Sequence, residues 1–383
     1  MENRKCLMIV TGALHSDGGV AAVNRLIIHS LIEERYQIDV FALYEDEDGV
    51  DGPDDWKIQL NYHAYHGNKA LFSLAVWMAW FRDRHDLVFS DQINLALILV
   101  PLRVLFGQRY LVWVHGLECF PPNPNWEGFL GLRFSSKCLT SSDHTRDVLL
   151  MRYPYLSATT CDLALDPLRR TASLPPEPPT MENQRLELEA VSGAKRFLGE
   201  KVILLVGRLD AEQRYKGQDV LIQAFPFVKE QHPDAQLVLV GQGDDKARLE
   251  ALANSYPIQI KESIFITGYA TDEELSNLYR VCYVFAMPSR AEGFGIVYLE
   301  AMRWAKPCIG SRLDGAKCVI RDGRTGLLVD DPLSAKEVAE KISCILSHPE
   351  EASRMGIAGY NFVRELYLYP SFRKRFLSAL SSV

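Results

Sequence analysis

Two carboxylates in this chain stand where a short apolar run ends in glycine. Val284-Phe285-Ala286-Met287 has the character of a buried strand. Pro288-Ser289-Arg290-Ala291-Glu292-Gly293-Phe294-Gly295 is a turn, and Ile296 to Met302 opens a helix. Glu292 therefore falls in the loop at the strand's carboxyl end. Glu300 falls eight residues later, on the following helix. Gly293 and Gly295 remove side chains where the backbone must come close to something. Free N–H groups at a helix start can hold hydroxyl or phosphate oxygens. Each carboxylate could grip a pair of sugar hydroxyls, with hydrogen bonds to a charged group of about 1.5–3 kcal/mol apiece. An ordinary strand-turn-helix with a solvated Glu is the alternative. It gives no reason for two glycines flanking Phe294, or for Glu300 among Leu299, Ala301 and Met302.

Two cations occupy a second strand end. Leu204-Leu205-Val206-Gly207-Arg208-Leu209-Asp210 runs from strand into loop, and Tyr215-Lys216-Gly217 precedes a helix. Arg208 and Lys216 would both project at that end. Fixed cations stabilise a leaving diphosphate most as its charge develops. Arg suits bidentate contact with phosphate oxygens and Lys acts as a point charge. A surface ion pair with Asp210, Glu212 or Asp219 is the competing reading. In the first half, Asp17-Gly18-Gly19-Val20 opens a helix after the first strand. There Gly18 and Gly19 suit close approach to a phosphate, or form a flexible turn. Leu111-Val112-Trp113-Val114-His115-Gly116 ends a strand in His-Gly, so His115 is a site candidate against the structural role of most lone histidines. Ser142 reads first as a helix cap.

The elements that must position these residues alternate along the chain. Strands are expected at 6–11, 37–42, 58–63, 86–90, 109–114 and 136–140, with helices such as Val20–Ile32 and Leu71–Phe81 between them. The apolar stretches Ala70–Phe81 and Ile93–Val100 are too short to span a bilayer; they fit core helices, and contact with a membrane surface stays open as the alternative. Four prolines in 172–183 cannot sit inside a helix or a central strand. Alternation resumes with strands at 201–206, 236–240, 263–266, 282–287, 307–310 and 326–329. Pro226 should kink or break the first helix of this half. The fold class is α/β, with mostly parallel sheets covered on both faces. Ligands of such sheets bind at the carboxyl ends of strands.

Pro288 to Met302 resembles the Glu-seven-residues-Glu motif of the family 4 retaining glycosyltransferases. Glu-Gly-Phe-Gly, Leu-Glu-Ala-Met and the preceding Pro-Ser all match, and Gly-Arg-Leu…Lys-Gly at 207–217 is similar to the family's second motif. The resemblance implies the GT-B fold, two Rossmann-like domains facing across a cleft. It implies an N-terminal acceptor-side domain (1–170), joined by the C-terminal helix 369–383. A linker (171–198) and a nucleotide-sugar-binding domain (199–368) complete the division. It also implies that Arg208 and Lys216 hold the donor diphosphate and that Glu292 contacts the sugar hydroxyls. The backbone of Gly293, Phe294 and Gly295 would face donor oxygens, and Glu300 would hold the ribose. Gly18 and Gly19 would face the diphosphate, and His115 would sit beside the sugar.

Three departures from the family pattern stand out. Asp314-Gly315-Ala316-Lys317-Cys318 replaces the usual Gly-Gly-x-Pro-Glu, so Cys318 stands where that Glu would be. The Asn-Gly turn before the linker is absent at Asp162–Asp166, and the linker is rich in proline.

The expected reaction moves a sugar from a UDP- or GDP-linked donor to a sugar or lipid-linked acceptor. Anomeric configuration would be retained, with no cofactor and no metal, in cell-surface polysaccharide or glycolipid synthesis. A nucleotide-sugar epimerase or hydrolase, and a non-catalytic nucleotide-sugar-binding protein, are the alternatives. The one Asp-x-Asp, Asp46-Glu47-Asp48, falls in an acidic run from Glu45 to Asp55 that reads as a solvated loop. A net charge of -7 argues against nucleic acid. Hydrophobic residues at 48% argue against disorder. Eight cysteines without a C-x-x-C pair suit buried thiols of a cytoplasmic protein. The N-terminus shows no secretory signal. A peripheral contact with the cytoplasmic membrane face is attached to the basic face of the last helix, Arg373, Lys374 and Arg375.

Overall fold

The computed structural model describes residues 4–16, 18–46, 54–119, 126–168, 174–179 and 186–381. The chain divides into two compact units, Met1–Leu168 with Leu368–Val383, and Arg169–Tyr367.

Unit one carries β1 (Lys5–Val10), α1 (Gly19–Glu33), β2 (Gln37–Ala42), α2 (Asp54–Gln59), β3 (Leu60–Ala64), α3 (Lys69–Arg82), β4 (Leu87–Ser90), α4 (Val100–Phe106), β5 (Leu111–Val114), α5 (Trp126–Arg133), β6 (Lys137–Thr140), α6 (Asp143–Arg152) and β7 (Ala158–Thr160). Its sheet has the order β3-β2-β1-β4-β5-β6-β7 and every pairing is parallel. The strands are near-continuous apolar runs because helices cover both faces. The order reverses between β1 and β4, which leaves a crevice at their carboxyl ends.

Unit two begins with an antiparallel hairpin, β8 (Glu187–Glu189) and β9 (Lys195–Phe197). It continues through β10 (Val202–Val206), α7 (Gln218–Gln231), β11 (Gln236–Val240), α8 (Lys246–Asn254), α9 (Ile258–Lys261), β12 (Ile264–Ile266), α10 (Asp272–Val281), β13 (Val284–Ala286), α11 (Ile296–Arg303), β14 (Cys308–Ser311), α12 (Ala316–Val319), β15 (Gly326–Val329), α13 (Ala335–Ser347) and α14 (Pro349–Leu366). The order β12-β11-β10-β13-β14-β15 is parallel and reverses between β10 and β13. Both units are Rossmann-like, as the alternation of the sequence requires.

The last helix, α15 (Tyr369–Leu380), returns to unit one and packs on α1. Phe372 and Phe376 are buried there. Of the basic face read as solvated or lipid-facing, Lys374 is exposed, while Arg373 and Arg375 are half-buried and engaged by unit one. Arg373 pairs with Glu33 at 2.6 Å, and Arg375 donates to the carbonyl of Asp162 at 3.0 Å.

Other expectations change as well. The hairpin β8–β9 falls inside the segment read as linker, and its Val191 N–H donates to the Ile264 carbonyl at 2.9 Å, tying it to unit two. α7 runs unbroken through Pro226, because its flanking Ile222, Phe225 and Val228 are buried. α3 is not the core helix its apolar content suggests. Only Phe72, Val76 and Ala79 of it are buried, while Leu71, Leu74, Trp77, Met78 and Phe81 are exposed. Among the described residues no helix is long and apolar enough to cross a membrane.

Candidate active site

The carboxyl ends of β10 and β13 carry the residues singled out in unit two. After β10 the chain passes Gly207, Arg208 and Asp210, then a 3₁₀ turn, Ala211–Lys216. Gly217, at φ 80°, redirects it into α7, and a Cβ there would press on the Pro288 carbonyl. Gly207 has no side chain where Lys216 lies, since a Cβ would stand 3.2 Å from Nζ. Burial pulls the Lys216 ammonium below its ordinary pKa; Glu292 opposes that pull and Arg208 adds to it. Lys216, Glu292 and Arg208 are therefore electrostatic neighbours. Arg208 is exposed, with its Nε 3.7 Å from Asp210 Oδ2, so the ion pair weighed against a phosphate role is present but loose.

The loop between β13 and α11 is tied to this turn by the Arg290 N–H, which donates to the Tyr215 carbonyl at 2.8 Å. Gly295 caps α11 at φ 89°, a conformation that favours glycine. Phe294 buries its ring against Tyr367, centroids 5.8 Å apart. Glu300 accepts from the Tyr279 hydroxyl at 2.8 Å, which answers why a carboxylate sits in that apolar stretch.

Asp314, at the position where the family pattern has its first glycine, was not singled out by sequence. Its Oδ2 accepts the Glu292 N–H at 2.9 Å and the Ser289 hydroxyl, and its Oδ1 accepts the Ala316 N–H at 3.0 Å. The Gly315 N–H donates to the Glu292 carbonyl at 2.7 Å. Asp314 thus holds the backbone that carries Glu292. Burial pushes its carboxyl up to about 7, against hydrogen bonds from Ser289, Glu292 and Ala316, while the Glu292 charge raises it further. The native protein then keeps a proton that the unfolded chain releases near pH 4. Stability lost to this group grows as pH rises from about 4 to about 7, by up to about 4 kcal/mol. Asp314→Asn removes the titration. Urea unfolding at pH 5 and pH 7 should show the wild type losing about 2 kcal/mol relative to the variant; an unchanged difference would mean that Asp314 is ionised throughout.

Unit one places its candidates at the ends of β1 and β5. His115 Nε2 donates to the Asp91 carbonyl at 2.9 Å. Gly18 caps α1 at φ 112° with no atom within 4 Å of a would-be Cβ, and Gly19 is likewise open. The loop before them, Gly12 to Ser16, is held by buried polar groups that sequence reasoning missed. Asp91 Oδ2 accepts from Thr11 N–H, Thr11 Oγ1 and Asn24 at 2.8–2.9 Å. Arg25 pairs with buried Asp166 at 2.6 Å and donates to the Ala13 and Ser16 carbonyls. Glu45, read as part of a solvated acidic loop, is 3% exposed and accepts from Ala13 N–H, Ser16 Oγ and Tyr62. Its carboxylate satisfies donors that the buried loop would otherwise leave open. Asp46 beside it is exposed; Glu47 and Asp48 lie outside the described residues. Ser142 does cap α6, accepting from Thr145 N–H at 3.1 Å.

Arg208, Lys216, Glu292, Gly293, Phe294, Gly295 and Glu300 are thus gathered in unit two, and Gly18, Gly19 and His115 in unit one. The sequence pattern described as "Glycosyl transferases group 1" matches residues 190–362, most of unit two. A GDP-mannose-dependent alpha-(1-6)-phosphatidylinositol monomannoside mannosyltransferase from Mycobacterium tuberculosis is 30% identical over 293 residues, 73% of this chain and 71% of that protein. The chain belongs to the group 1 glycosyl transferases. The same enzyme from Mycolicibacterium smegmatis is 30% identical over 223 residues, 55% of this chain and 57% of that protein. The fold of this glycosyltransferase matches a solved GT-B structure, Anabaena HepE in complex with UDP and glucose, with a TM-score of 0.75, 17% identity and 100% coverage of both chains. It is an enzyme that transfers sugar from a nucleotide sugar.

Proposed function

We propose that this glycosyltransferase is a family 4 enzyme that retains anomeric configuration and needs no metal. Its donor is a UDP- or GDP-linked sugar and its acceptor a sugar or lipid-linked hydroxyl, on the cytoplasmic side of a membrane, in glycolipid or cell-surface polysaccharide synthesis. The observation that carries the reading is the sunken Lys216 ammonium on Gly207, with Glu292 and Arg208 in electrostatic reach. A cation already drawn out of water interacts more strongly with a diphosphate than a solvated one. It does so as the bond from the anomeric carbon to the phosphate oxygen breaks, so Lys216 and Arg208 take over charge that a metal would otherwise neutralise. Glu292 orients the sugar hydroxyls. The new bond forms on the face the phosphate leaves, and a departing phosphate oxygen takes the acceptor proton. His115, Gly18 and Gly19 are the donor-binding candidates of unit one in this reading, and Glu300 of unit two holds the ribose.

The names of the relatives support a lipid-bound acceptor, since the mycobacterial enzymes act on a phosphatidylinositol monomannoside. Family membership favours transfer over epimerisation. The reading is tested by product NMR after turnover of a UDP- or GDP-sugar, with a chelator present and absent. A product with the donor's own anomeric configuration, formed at the same rate in chelator, is expected. An inverted product, or a rate abolished by chelator and restored by a divalent cation, would overturn it.

A further inference from the structure

Outside the strand-end sites, the most unusual surface is an apolar ridge on unit one. Leu71, Leu74, Trp77, Met78 and Phe81 of α3 are exposed, as are Val104, Leu105 and Phe106 of α4. They form one patch. The rings of Trp80, Phe81 and Phe106 meet pairwise with centroids 5.0, 5.1 and 5.4 Å apart. A contiguous exposed apolar surface of this kind marks an interaction site.

Charge distinguishes the partners. The chain as a whole is acidic, at -7, yet α3 and α4 contain no Asp or Glu. Lys69, Arg82, Arg84 and Arg103 border the ridge in sequence. The nearest acids are engaged: Asp83 with Lys5 at 2.6 Å and Arg82 at 3.0 Å, Asp86 with the Lys5 N–H at 2.8 Å, and Asp91 in the core. Beside α4 lies an open recess of about 350 Å³ lined by Arg103, Arg133, Ser135, Ser136, Tyr155 and Ser157. Arg133 is held over the Tyr155 ring at 4.9 Å. Two guanidinium groups and four hydroxyls in one recess suit a phosphate. A second copy of the chain docked by a two-fold axis would set like cations against each other.

We infer that unit one docks onto an anionic lipid bilayer through the ridge of α3 and α4, with the Arg103–Arg133 recess taking lipid phosphates at its edge. Apolar side chains enter the acyl boundary, tryptophan lies at headgroup level, and flanking arginines meet the negative surface. This rests on the lipid-acceptor reading above for its purpose, and it moves the membrane contact from α15, whose Arg373 and Arg375 are spent on unit one, to α3 and α4.

The test is flotation of the whole protein with vesicles, in the absence of donor, so it does not depend on any mechanism of transfer. Protein should float with phosphatidylcholine vesicles containing phosphatidylglycerol and stay behind with phosphatidylcholine alone. Met78→Glu/Leu105→Glu and Arg103→Glu/Arg133→Glu should each cut partitioning by about tenfold or more. The sites of the first pair are exposed, so its thermal midpoint should match the wild type. If it does not, Met78→Ser/Leu105→Ser, which adds no charge, replaces it and should also weaken flotation. Wild type that ignores anionic vesicles overturns the inference. So do folded variants that bind like wild type, or a wild-type dimer that Met78→Glu/Leu105→Glu dissolves without any vesicle binding.

Discussion

Lys216→Ala is expected to lower kcat by about a hundred- to a thousandfold, the range for deleting one preorganised electrostatic donor. Lys216 lies on Gly207 beside Glu292, half-buried, with its ammonium already pulled below its ordinary pKa by burial. Little rearrangement is then needed when charge develops on a leaving diphosphate, and solvent dilutes the interaction little. Stability should change little, or rise, because the substitution relieves a desolvated cation. Steady-state rates at saturating donor, with thermal melting alongside, check both halves. A kcat within threefold of wild type would remove Lys216 from the diphosphate role and leave Arg208 to act alone. Lys216→Arg is a useful partner. Its larger planar head does not fit over Gly207 as the ammonium does, so it should recover little activity although it keeps the charge.

Arg25→Met is expected to destabilise unit one by about 3–5 kcal/mol, the usual consequence of leaving one member of a buried ion pair alone. Arg25 and Asp166 are both buried and 2.6 Å apart. The same guanidinium also satisfies the carbonyls of Ala13 and Ser16 at 2.6 and 3.0 Å. Its loss frees the loop that leads to Gly18 and Gly19, so donor KM should rise in whatever fraction remains folded. Arg25→Met/Asp166→Leu removes the stranded charge as well and should recover about half of the lost stability or more. Denaturant unfolding of the two variants decides the matter. A single variant that costs under about 1 kcal/mol would show that the pair is solvated, unlike a buried one.

The parts of this protein that could be read from sequence are local ones. A strand, a glycine turn and a helix start lie within twenty residues of each other. The motif around Glu292 and the one around Arg208 and Lys216 therefore declare their elements and which charged side chains stand at the strand ends. Ser142 as a helix cap belongs to the same class. The α/β alternation announces two parallel sheets, because apolar runs of strand length recur at a spacing only crossover helices fill.

What escaped were polar groups whose partners are remote. Asp314 meets Ser289 and Glu292 across more than twenty residues, and Asp166 meets Arg25 across 141. Glu45 looked like one acid of a solvated run and is instead the acceptor for a loop thirty residues earlier. Nothing in the run distinguishes it from Asp46.

The opposite error concerned α3. An apolar helix was expected in the core, and its outer side chains have no cover among the described residues of unit one. The order of residues by itself determined that this chain folds as two α/β units and where each presents cations, carboxylates and glycines. Only the tertiary structure decided which buried charges hold those loops and which apolar side chains are left outside. Hydrophobic periodicity records that a residue favours leaving water, but whether protein or some other surface covers it depends on what the rest of the chain brings alongside.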